Sequence, residues 1–434
     1  MYGMIKFEDW EIRQETRYSK LSYYYNNEKV NEEELIKHIN INDIEKAKNM
    51  LLINDRDKYI SEDTFSNLFE NLVNIIIPNG IEIIENEAFS NCKNLTNVEI
   101  PKSVKNINNY AFYNCQKLER IEIPEGITNI KVATFEACIN LKDVIMPESV
   151  TSIGDCAFYD CINLINVKIS DNVTSIGNYA FAGCTNLANI ELPQSLIDIG
   201  TDVFTGNKKL QHITIPKNVT NLSVGTFKGC IDLKNIVVDE NNPVYDSRNN
   251  CNAIIKTETN TLIIGCNKTI IPNNITSIGE CAFLNCKKLE KIIIPDSVKS
   301  IENNAFAHCQ GVTEIIISEG VENIAHHAFT CCKKIESITI PSSVSFIGDY
   351  AFSGCKNLKE VNWNASIKPT KEILDNIFKN CNNIEKFNYN GKEIDLHSEF
   401  LELSLDQIIK EKTNVEINSY TLTNDCIESN VEIR

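Results

Sequence analysis

The stretch CKKIESITIPSSVSFIGDYAFSGC, from Cys332 to Cys355, and its counterpart CINLKDVIMPESVTSIGDCAFYDC, from Cys138 to Cys161, decide the fold. Working outward from them, Phe89, Phe112, Phe135, Phe158, Phe181, Phe204 and Phe227 recur every 23 residues, and Phe283, Phe306, Phe329 and Phe352 resume the step. A cysteine follows three positions later at Cys92, Cys115, Cys138, Cys161, Cys184, Cys230, Cys286, Cys309, Cys332 and Cys355, with Asn207 as the break. Pro78, Pro101, Pro124, Pro147, Pro193, Pro216, Pro272, Pro295 and Pro341 form a parallel column, each closing an alternating apolar segment. A repeat at fixed period takes precedence over any reading by domain size.

The spacing inside one unit gives its physics. Val98 and Ile100 alternate as in a strand, and Pro101, with no N–H to donate, stops it. The Ala-Phe-x-x-Cys segment has the i, i+3 spacing of a helical turn, so Phe112 and Cys115 are expected to point together into the core. One unit cannot bury its own apolar edge. Parallel stacking at about 4.8 Å closes it, and roughly a dozen units would make a curved body near 60 Å long.

These residues resemble the BspA-like leucine-rich repeats, whose signature C-x-x-L-x-x-[IV]-x-[IL]-P-x-S-V-x-x-I-G-x-x-A-F-x-x-C appears almost verbatim in the two quoted stretches. The likeness covers roughly three quarters of the chain. Receptor-type repeats place Asn or Cys two residues before the last Leu, whereas Lys102, Glu125 or Glu148 stands near that point here, after a proline. The fold class this implies is a repeat solenoid of the α/β leucine-rich type: a curved parallel β-sheet, short helical turns on the convex side, and helical caps. Residues 61–390 are assigned to it, with an enlarged unit at 239–272.

The enlargement follows from the 56 residues between Phe227 and Phe283, two steps plus ten. Ala253 to Ile255 and Leu262 to Ile264 read as strands joined by the polar turn Glu258-Thr259-Asn260, hence a hairpin. The preceding DENNPVYDSRNN reads as a polar loop; Asp239, Glu240, Asn241 and Asp246 lack the D-x-[DN]-x-[DN]-G frame of a Ca2+ loop, so a solvated turn is expected. Residues 1–60 carry helical signals, Asn31 with Glu34 as a capping-box-like start and Leu35, Ile36 and Ile39 as an apolar face, then a second short helix from Asp43 to Leu51. They are assigned to a helical N-terminal cap or small domain. Residues 391–434 are assigned to a C-terminal cap, with a helix from Ser398 to Lys412 and a strand-like Val415 to Leu422; the step from Phe352 to Phe378 has already lengthened to 26.

The chain of 434 residues carries 42 Lys and Arg against 59 Asp and Glu, a formal charge of -17, a field that repels phosphate backbones and anionic headgroups. No basic run offers a local exception, so no nucleic-acid partner is expected. The N-terminal stretch lacks the apolar run of a secretory signal and no segment approaches a membrane span; a cytoplasmic location is favoured, with cell surface or secretion implied by the resemblance. The 17 cysteines mostly occupy one repeat position, which free buried thiols explain better than a disulfide framework.

Catalytic constellations are absent: no G-x-x-x-x-G-K-[ST], no H-E-x-x-H, no G-x-S-x-G. Neither a catalytic residue nor a cofactor is assigned. His38, His212 and His397 have nothing nearby to complete a triad. His308-Cys309, His326-His327 and Cys331-Cys332 on adjacent repeats could suit Zn2+, but Cys309 and Cys332 belong to the core column, so no metal is assigned. Acidic residues such as Glu99, Glu122 and Glu191 form a strand column, a surface rather than an acid/base pair.

Residues between the apolar strand positions should face outward on the concave side. They are Asn97, Glu99, Arg120, Glu122, Asp143, Asn166, Lys168, Asn189, Glu191, His212, Thr214, Lys291, Ile293, Glu314 and Ile316, continuing through Ser337, Thr339, Glu360 and Asn362. Val237, Ile293 and Ile316 make the second half more apolar, which suits a protein partner, although β-branched residues also favour strands for their own sake. The expected function is a non-catalytic protein-binding module. The resemblance implies an adhesin-like or host-interaction protein; an intracellular scaffold or regulator is the alternative, and an enzyme the remote one.

Overall fold

The computed structural model describes residues 3–6, 10–14, 22–25, 28–30, 59–60, 73–77 and 79–394. Among the described residues the repeat folds as a parallel β-solenoid of about 14 turns with few helices. Each coil has three sides. A front strand such as Arg120–Glu122 ends at Pro124, whose carbonyl accepts from Ile127 N (3.3 Å). A shorter side strand, Asn129–Ile130, follows, and a run of turns carries Phe135 and Cys138 back to the next front strand. Register is fixed by the period: Arg120 pairs with Asp143, Ile121 with Val144 and Glu122 with Ile145 on the front, Asn129 with Ser152 and Ile130 with Ile153 on the side. A one-residue slip would turn each buried isoleucine into water.

The chain divides into two compact units, Met1–Leu210 with Asn218–Phe227, and Gln211–Lys217 with Lys228–Arg434. In the first, Phe89 to Phe227 form one unbroken stack, successive rings 5.1 to 6.0 Å apart and within 13° of parallel. In the second, Phe283, Phe306, Phe329, Phe352 and Phe378 stack at 4.7 to 5.6 Å. Burying each ring contributes about 1.5 to 3 kcal/mol, and the offset stack adds about 0.5 to 1.5.

The turn side is where the expected helical turn takes a different form. Phe112 and Cys115 do point inward, both fully buried. Yet Tyr110 and Asn114 have φ of 58°, in the left-handed region, and Tyr110, Phe112 and Asn114 N–H groups donate to Val132, Thr134 and Glu136 O of the next coil (2.7 to 3.0 Å). Ala111, Tyr113 and Cys115 close i to i+3 turns instead. A helix would aim all these donors along its own axis; alternating them lets every coil bond its neighbour, and that gain outweighs the left-handed strain.

The enlarged unit contains the expected hairpin, with Ile254–Lys256 antiparallel to Thr261–Ile264. The loop before it holds an unforeseen strand, Tyr245–Asp246, pairing with Ile255 and Lys256, and Tyr245 is buried. Thr261–Ile264 then runs parallel to Ser277–Ile278, so the hairpin's second strand takes a side-strand place in the ladder. The lengthened step before Phe378 contains a helix, Lys371–Ile377, whose Ile373 N lies 3.4 Å from the Oγ1 of its N-cap Thr370. The described ladder closes with Lys386–Tyr389, which turns through Asn390 and Gly391, both at positive φ, into antiparallel Lys392–Ile394. Such a hairpin is a register-locked end to a parallel sheet.

At the other end, Tyr59–Ile60 pairs parallel with Ile83–Ile84. Within residues 1–60, read above as helical, the described segments Gly3–Lys6, Trp10–Gln14, Ser22–Tyr25 and Glu28–Val30 form a four-stranded antiparallel sheet. The helices expected at 31–39, 43–51 and 398–412, and the strand at 415–422, lie outside the described residues.

Candidate protein-binding surface

The front strands place the outward residues in straight files one coil apart. In the first unit Asn97, Glu99, Arg120, Glu122, Asn166, Lys168, Asn189 and Glu191 are exposed and Asp143 is half-buried, while the residues they flank, Val98, Ile121, Val144, Val167 and Ile190, are core. Arg120 lies beside Asp143, and Asn166 Nδ2 reaches Asp143 Oδ1 at 3.4 Å. In the second unit His212, Thr214, Lys291, Ile293, Glu314 and Ile316 are exposed, as are Ser337 and Thr339; Glu360 and Asn362 are half-buried. Registration makes Lys291 the neighbour of Glu314, with Nζ 2.9 Å from Oε2, and Ile293 the neighbour of Ile316.

The exposed isoleucines lie between such charges: Ile293 is 51% and Ile316 40% exposed, against 1 to 2% for Ile121 and Ile292 on the inward side. In the first unit Ile145 is 41% exposed in the place that Glu122 occupies one coil earlier; it was not singled out above, although its column position was enough to find it.

The remaining candidate groups are occupied by structure. Cys309 Sγ donates to Phe283 O (3.1 Å) and Cys332 Sγ to Phe306 O (3.4 Å), as Cys115, Cys138, Cys161 and Cys184 do to the phenylalanine one coil back. His326 Nδ1 accepts from Asp349 N (2.9 Å), and the His327 ring stacks on Tyr350 at 5.1 Å. His308 is half-buried, and burial followed by nearby lysines holds its pKa below the ordinary value. Among the described residues no group of three or more His, Cys, Asp or Glu is arranged to hold a metal ion. In the enlarged unit Asp246 accepts from Arg248 Nε (2.8 Å) and Nη2 (2.5 Å), and its carboxyl stays below the usual range because these bonds outweigh its partial burial. Asp239 Oδ1 takes Asn241 N (2.9 Å). His212 is a solvated strand residue, while His38 and His397 lie outside the described residues. No helix among the described residues is long and apolar enough to cross a membrane.

The description of a BspA type leucine-rich repeat region in 6 copies matches residues 58–169, 151–263, 265–385 and 322–433. A leucine-rich cell surface protein of Faecalibacterium prausnitzii is similar in structure at 29% identity and a TM-score of 0.61, over 74% of this chain and 88% of that one. A leucine-rich repeat protein of Bacteroides ovatus is similar at 27% identity and a TM-score of 0.49, over 73% of this chain and 92% of the other. No curated protein matches the chain.

Proposed function

Because the chain belongs to the BspA-type leucine-rich repeat family, we propose that it is a non-catalytic, adhesin-like module that binds a protein partner through the front-strand face. One observation carries this reading: along the front strands the inward side chains are committed to the core, while the outward files combine exposed polar groups with exposed isoleucines, Ile145 in the first unit and Ile293 and Ile316 in the second. An apolar stripe rimmed by charge is what the centre and rim of a protein interface require. The similarity to a cell surface protein of F. prausnitzii supports an adhesive role at a cell surface.

A second reading, an intracellular scaffold using the same face, is favoured by the free buried thiols of the column, which persist most readily in a reducing compartment, whereas the disulfide-bonded Cys331 favours the surface role. Antibody labelling of intact cells separates the two: labelling supports the surface role, and labelling only after permeabilisation supports the scaffold. The shared claim is tested by capturing partners with the whole chain and with a variant carrying Arg120→Glu, Glu122→Lys and Ile316→Asp. The variant should melt within about 1 °C of the parent, since surface substitutions cost little, and should lose the partner. Undiminished capture would overturn the assignment of this face.

A further inference from the structure

The enlarged unit interrupts the front ladder at Asn235–Val238. This strand has one strand neighbour among the described residues, His212–Ile215. On its other side lies a recess of about 500 Å3 lined by Lys234, Asn235, Ile236, Val237, Ser247, Asn250, Asn252 and Lys268, within the roughly 300 to 1,000 Å3 that ligand clefts occupy. The open edge is closed at both ends and not in the middle. Asn267 Nδ2 donates to Ile231 O (2.9 Å) and Leu233 O (3.0 Å). Val238 N donates to Ser247 Oγ (3.0 Å), a bond that in an ordinary coil goes to the next strand, as Ile123 N to Ile145 O (3.0 Å). N–H groups two residues apart on a strand point the same way, so Ile236 N–H faces the recess between these two caps. An open sheet edge is a template for another extended chain.

Charge selects which chain. On a protein of net charge -17, Lys234 and Lys268 are both exposed at the recess, and neither takes part in an ion pair among the described residues. The nearby carboxylate of Asp232 is held by Lys288 at 2.5 Å. Exposed Val237, 42% accessible, offers an apolar contact at the recess.

We propose that this recess receives an extended acidic segment of a partner protein as an added strand, its backbone pairing with Ile236 and its carboxylates meeting Lys234 and Lys268. This deepens the front-face reading and rests on it. The test measures fluorescence anisotropy of an end-blocked, labelled hexapeptide alternating valine and glutamate, titrated with the full chain at low salt. Saturable binding is expected, about tenfold weaker or more on the Lys234→Glu/Lys268→Glu variant, whose solvated substitutions leave the fold intact by circular dichroism. Replacing the peptide's glutamates by lysine, or methylating alternate backbone nitrogens, should abolish it. No saturable binding, equal binding of the methylated peptide, undiminished binding to the double variant, or displacement by an equal concentration of free glutamate would each overturn the proposal. The front-face triple variant serves as control: it retains peptide binding under this proposal, so a failure here and a failure of the wider reading leave different records.

Discussion

A thiol in a core can donate one weak hydrogen bond while packing as a small apolar group. That dual character fits the place where a phenylalanine carbonyl accepts from the cysteine N–H of its own coil and is met by a thiol from the next, as Phe89 O by Cys92 N (3.3 Å) and Cys115 Sγ (3.2 Å). Asn207 stands in the same place with no such solution: it is fully buried, and neither its Oδ1 nor its Nδ2 has a partner. Leaving buried amide groups unpaired costs about 1 to 3 kcal/mol. Asn207→Cys should therefore raise stability by about that much, read as a shift in the urea midpoint with an unchanged m-value; a destabilised variant would mean that the amide is satisfied by ordered water. The break in the column was visible in the sequence, but its energetic sense was not, because only coordinates show which buried atoms lack a bond.

The coil is the element that matters, since its strands and alternate turn donors bond only to neighbouring coils. Phe158, fully buried between Phe135 and Phe181, lies at the centre of that exchange. Phe158→Ala should cost about 3 to 5 kcal/mol through the cavity left behind, and hydrogen exchange should quicken in its own and the adjoining coils first. Glu122→Ala, on an exposed strand position, should leave the melting curve unchanged; equal melting temperatures for the two variants would contradict the stacking scheme. Phenylalanine, cysteine and proline columns made the coil legible because strand alternation and a fixed period leave few ways to bury them. The turn side was misjudged for a physical reason: i, i+3 spacing is shared by a helical turn and by successive tight turns, and left-handed φ at residues such as Tyr110 and Ala137 leaves no mark in residue type. The candidate surface was legible by alternation, whereas the recess at Lys234 and Lys268 depends on how the enlarged unit folds back, which no local pattern encodes.

In each unit a buried thiol of the column ties stability to pH. Burial pushes Cys92 and Cys332 from an ordinary 9.0 up to about 12. A folded-state value above the unfolded one favours the native state fully below pH 9 and loses that benefit as pH climbs toward 12, at roughly 1.4 kcal/mol per pH unit for each thiol. Melting temperature should stay level from about pH 7 to 8.5 and drop above about pH 9, with a Cys92→Ala/Cys332→Ala variant falling less steeply. A wild-type curve that is flat through pH 10.5 would show the thiols to be solvated. Exposed pairs such as Lys291 with Glu314 add little to this balance and fade with salt.

The alternating donors of the turn side have one more consequence. Bonds such as Phe112 N to Thr134 O and Phe135 N to Ala157 O span 22 residues, one coil to the next. A load pulling on the chain would thus meet them in sequence rather than all together. Each rupture would pay out a single winding, roughly 80 Å of slack, before the next one tightened, so the polymer would yield like a spool and absorb work at every step.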